Sequence, residues 1–147
     1  MANKIVRLDN MAAQKVPSLV KSARYYKDGV KAPVENGTVV GVGALEDGER
    51  EIHKVEDAKD TDMMVGIVCT PEVMYDERHM GDRDLGNFIN EEGDAIRVEV
   101  FQVGDLFSIA NGTETADFDL NAKLVAKHIQ TEVVGRYTYE CFEVFAK

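Results

Sequence analysis

The chain has 147 residues, 17 of them basic and 27 acidic, for a formal net charge of −10. That length suits one domain with a core of its own. No run of about 18 apolar residues is present, which excludes a membrane-spanning helix, and the first twenty residues lack the continuous apolar stretch of a secretory signal. Synthesis in the cytoplasm is expected, and an acidic body argues against a nucleic-acid backbone as partner.

The charge is unevenly spread. From Met1 to Val34 there are 7 basic residues against 2 acidic, a net +5, whereas the other 113 residues carry 10 basic against 25 acidic, a net −15. Pro17 interrupts any helix early in this basic leader. One reading makes residues 1–31 an extended arm docked on a neighbour. Its contacts would be Lys4, Ile5, Arg7, Leu8, Met11, Leu19, Arg24, Tyr25 and Tyr26. The other reading packs the leader on its own acidic body as a first strand or irregular segment.

Residues 32–147 form the expected body. Glu35-Asn36-Gly37-Thr38 is a strong turn signal, because Asn and Gly tolerate positive φ, and it leads into the strand-like run Val39 to Leu45. The glycines there match neither phosphate-loop pattern and are read as points of bending or close approach. Glu46 to Arg50 is a charged turn and Glu51 to Val55 a short strand. Glu56 to Asp62 lacks the EF-hand spacing and is read as a solvated loop. Met63 to Pro71 is a nearly continuous apolar run, placed in the middle of the sheet system, with Gly66 letting another strand approach. Glu72 to Asn90 is expected as a long polar loop with apolar anchors.

Ala95 to Ala110 alternates with period two on both sides of Gln102-Val103-Gly104-Asp105, so it predicts a hairpin with its turn at Gly104. Asn111-Gly112-Thr113 is another turn; it and Asn36-Gly37-Thr38 match glycosylation sequons but are read as turns. A strand is expected over Lys123 to His128, and a closing strand over Thr131 to Lys147 with a bend at Gly135. Seven to nine short strands separated by Gly, Asn and Asp predict an all-β fold, a small antiparallel β-barrel or sandwich.

The chemistry-bearing residues form no recognisable constellation. His53, His79 and His128 lie 26 and 49 residues apart and match no paired-ligand pattern, so a metal-dependent barrel enzyme ranks low and no metal or cofactor is expected. Cys69 and Cys141 form no CxxC pair and sit in apolar contexts; they are expected to be reduced core residues, with a disulfide left open.

In its order of pieces the chain resembles the decoration, or cement, proteins of tailed-phage heads. The resemblance is carried by VENGTVVGVGALEDGEREIHKVEDAKDTDMMVGIVCTPEVMYDE, then GDAIRVEVFQVGDLFSI, then the ending CFEVF, which together lie within Pro33 to Lys147. It implies a virion structural protein on the outer capsid surface, with the major capsid protein and further copies of itself as partners and no catalytic residues. A tail or head-fibre-base subunit is the nearest alternative. Repetition over a lattice would let weak contacts add.

Overall fold

Strands begin where apolar side chains alternate and stop where glycine or an Asx residue turns the chain. The structure is a computed structural model, described for residues 3–70, 89–112 and 114–147. Its strands are β1 (Ile5–Asn10), β2 (Val20–Lys27), β3 (Val30–Lys31), β4 (Val39–Leu45), β5 (Ile52–Asp57) and β6 (Val65–Val68), followed by β7 (Ile96–Val100), β8 (Leu106–Ala110), β9 (Phe118–Asp119), β10 (Leu124–Val134) and β11 (Tyr137–Ala146). Among the described residues 54% are strand and 5% helical, which makes the fold all-β.

Two sheets share the work. Strands β2, β5, β4, β6 and β7 form a ring that β2–β7 pairing closes into a five-stranded barrel, with β3 attached to β2. Its ladders are antiparallel except β2–β5, which is parallel from Ser22–Ile52 to Tyr25–Val55. The barrel is filled by Ala23, Tyr25, Val34, Val40, Val55, Val68, Ile96 and Val98. The second sheet runs β1-β8-β11-β10-β9. Its inner face brings Phe107, Ile109, Ala126, Phe142 and Val144 against Val65 and Ile67 from the outside of the barrel. β6 is therefore buried on both faces, as its unbroken apolar run requires. A Cβ on Gly66 would lie 2.6 Å from the Glu99 carbonyl oxygen, so the expected close approach is real.

Two expectations are corrected. Residues 1–31 are not an extended arm: β1 pairs with β8 from Ile5–Ala110 onward, and β2 is the strand that closes the barrel. The two are linked by single-turn 3-10 helices at Ala12–Gln14 and Pro17–Leu19. The short strands and their half-polar faces hide this in the sequence, since each pairs with residues far along the chain. Nor is Ala95 to Ala110 a hairpin. β7 belongs to the barrel and β8 to the other sheet, and Gln102 to Asp105 carries the chain between them with Gly104 at φ 95°. The true hairpin is β10–β11, turning at Gly135 with φ 61°.

The aromatic centre of the shared core is Phe142, fully buried, with ring centroids of Phe107 at 5.5 Å, Phe118 at 5.1 Å and His128 at 5.5 Å. Phe142→Ala is expected to lower unfolding free energy by about 3–5 kcal/mol, as large-to-small core changes do. Urea denaturation followed by circular dichroism measures it.

Candidate functional site

The nine leader residues expected to meet a partner mostly meet the body instead. Ile5 and Met11 are 2% and 1% exposed, and Tyr25 is 7% exposed. Leu8 packs against the shared core. The Tyr25 hydroxyl donates to Asp57 Oδ1 at 2.6 Å; burial first, and then Asp57, pushes its pKa up. Arg24 Nη1 lies 2.6 Å from Glu46 Oε2, and the Tyr26 hydroxyl donates to Glu46 Oε1. That Tyr26 bond, with Arg24, holds the Glu46 carboxyl below the usual carboxylate range. Lys4 faces Glu35 at 3.8 Å.

Arg7 reaches furthest. Its guanidinium lies 4.7 Å from the Tyr139 ring centroid and bonds Glu132 Oε2 at 2.8 Å and Asp9 Oδ1 at 2.7 Å, with Ser108 Oγ at 3.3 Å. The Glu132 bond, aided by Asp9, raises the Arg7 pKa further. Lys4, Arg7 and Arg24 of the basic leader thus pair with carboxylates of its own body, in line with the second of the two readings. Of the nine residues, Lys4, Leu19 and Tyr26 border open clefts.

The two described histidines have separate partners. His53 Nδ1 is 2.9 Å from the Gly43 carbonyl oxygen, His128 pairs with Glu140, and His79 lies outside the described residues, as does most of the expected Glu72 to Asn90 loop. Thr131 first and then His128 hold the Glu140 carboxyl low. Among the described residues no three His, Cys, Asp or Glu side chains gather as a metal site would need. Cys69 and Cys141 are not joined to each other by a disulfide; Cys69 is half-buried and Cys141 buried. The sequon Asn36 is structural: it is 1% exposed, with its side chain bonded to Thr70 through both amide atoms and to Asn90.

Two clefts have contrasting linings. One, of about 260 Å³, has a mixed lining that gathers Tyr26, Lys54, Asp57, Lys59 and Asp62 around Gly41. A Cβ on Gly41 would fall 1.9 Å from Asp62 Oδ2, so a side chain there would push the carboxylate off the Lys59 amide that this oxygen accepts at 2.8 Å. The other, of about 280 Å³, is a mostly apolar groove where the barrel meets the second sheet, bordered by Leu19, Met63, Met64, Phe101, Val103 and Leu124. Met63 is 92% exposed and Val103 60%. Sequence reasoning placed Met63 and Met64 inside a central strand; they precede β6 and stay at the surface. No protein-family model matches the chain, and neither the curated proteins nor the solved structures give a match.

One buried charge is incompletely paired. Glu99 is 4% exposed, with Oε1 3.3 Å from Arg97 Nε and Oε2 without a hydrogen-bond partner. Burial raises its carboxyl pKa, with Arg97 opposing. The folded state then keeps a proton that the unfolded state has lost, so stability falls as pH rises between the two values. Glu99→Gln should raise unfolding free energy by about 1–3 kcal/mol at about pH 8. The gain should vanish near pH 4, where the wild-type acid is protonated in the folded state. Thermal melts across pH check this, and a pH-independent gain would contradict it.

Proposed function

We propose that this chain is a structural subunit without catalytic chemistry, which binds the outer surface of a phage capsid and reinforces it. The reading rests on the layout resemblance and on one observation, the apolar groove beside Met63. Large exposed apolar side chains grouped at a seam mark protein contacts, and unbranched methionines adapt to a partner's relief. The groove takes over the contact role expected of the leader, whose Ile5, Leu8, Met11 and Tyr25 are committed to the core while Leu19 borders the groove itself. Under this reading the partner is the major capsid protein, the location is the virion exterior, and the −10 charge keeps unassembled copies soluble.

The experiment is cosedimentation of purified protein with empty heads of the parent phage made without this chain. Wild type is expected to pellet with the heads. Met63→Glu combined with Val103→Glu should stay in the supernatant while keeping the wild-type circular dichroism spectrum, since both side chains are exposed. Failure of wild type to pellet would end the proposal; equal binding by the variant would move the contact elsewhere.

A further inference from the structure

The tripeptide Asn-Gly-Thr occurs twice, at residues 36–38 and 111–113, and the fold treats its two asparagines in opposite ways. Asn36 is 1% exposed and bonded at both ends of its amide: Nδ2 donates to the Thr70 carbonyl at 2.9 Å, while Oδ1 accepts the Thr70 amide and Asn90 Nδ2, each at 3.1 Å. The next amide is tied down as well, Gly37 donating to the Val68 carbonyl at 2.8 Å. Asn111, by contrast, is exposed just past the end of β8, in the left-handed region at φ 60°. A single bond holds its side chain among the described residues, from Nδ2 to the Asn3 carbonyl at 3.2 Å. The Gly112 amide donates to no group among them.

We propose that Asn111 is a site of spontaneous deamidation through a succinimide, and that folding withholds the same reaction from Asn36. The Gly112 amide nitrogen gives its proton to solvent base and attacks Asn111 Cγ. A new N–Cγ bond forms, the Cγ–Nδ2 bond breaks, and Nδ2 takes up a proton from water and leaves as ammonia. Water then opens the ring at one or the other carbonyl, which yields aspartate or isoaspartate at residue 111. Nothing is oxidised or reduced, and water is the only co-reactant.

Three features favour residue 111. Glycine places no side chain beside the attacking nitrogen. Ring closure swings the peptide between residues 111 and 112 toward the side chain, and neither residue belongs to a ladder, so the Asn3 contact is lost but no ladder bond. The electrophilic Cγ is open to water. At Asn36 closure would have to break the four hydrogen bonds above inside a buried turn, which slows it on the order of a hundredfold. The product at 111 replaces the donor to Asn3 with a carboxylate, adding negative charge where β1 begins.

The test is incubation of the purified full chain at neutral and mildly alkaline pH, followed by peptide mass spectrometry and isoaspartate labelling with an isoaspartyl methyltransferase. In the folded protein residue 111 should deamidate, faster at the higher pH and on the order of a hundredfold faster than residue 36. In guanidinium the two sites should react within a few-fold of each other, because the residues that follow each asparagine are the same. Asn111→Gly, which accepts the left-handed backbone, should remove the acidic species that anion exchange resolves in aged wild type. The blocking change is made there because a Cβ on Gly112 would lie 2.9 Å from Ile109 Cγ2. A folded chain that stays intact at 111 overturns the proposal, as do equal rates at both sites in the folded state, a product without isoaspartate, or an acidic species undiminished in N111G. Capsid binding does not enter the readout, so the two proposals fail separately.

Discussion

The Asp105 carboxylate sits where the barrel and the second sheet are tied together. It is 3% exposed, accepting the Ala12 amide through Oδ1 at 3.0 Å and the Gln102 amide through Oδ2 at 2.7 Å. Its own backbone carbonyl takes the Val144 amide, and Gly104 donates back to Val144. One residue thus fastens the leader's first 3-10 turn, the β7–β8 crossover and β11. Next to it, Phe101 donates its amide to Val65 and puts its ring 5.0 Å from that of Phe107. A buried carboxylate is tolerated only when such donors replace water, and here those donors come from both sides of the seam.

The leader depends on that seam. Once the Ala12–Gln14 turn is held, β1 is directed to the edge of one sheet and β2 into the wall of the other, so both strands are committed to the body. Their positive charge then finds the body's negative charge within the molecule, through Arg7 with Glu132 and Arg24 with Glu46. Exposed pairs of this kind add little stability singly. Arg7, stacked on Tyr139 and bonded to several groups, and Glu46, nearly buried beneath Arg24 and Tyr26, also fix the side chains around them.

What remains at the surface follows from the same architecture. A two-sheet body leaves a seam, and Met63, Met64 and Val103 stay exposed there because β6 turns inward only at Val65. A barrel has no edges, but an open sheet has two, and at one of them β9 is too short to cover β10. The apolar groove and the β10 edge are thus separate surfaces.

The residues alone determined the all-β class, the Asn-Gly and Gly-Asp turns, the double-sided burial of Val65 to Val68, the close approach at Gly66 and the bend at Gly135. These are properties of alternation, β-branched content and positive φ, which act over a few positions. Only the tertiary structure decided that β7 and β8 part company, that Ile5 pairs with Ala110, that Arg7 crosses the sheet to Glu132, and that Met63 is outside. Those outcomes depend on which buried faces meet, and a strand's own residues specify that it has an apolar face without specifying whose face covers it.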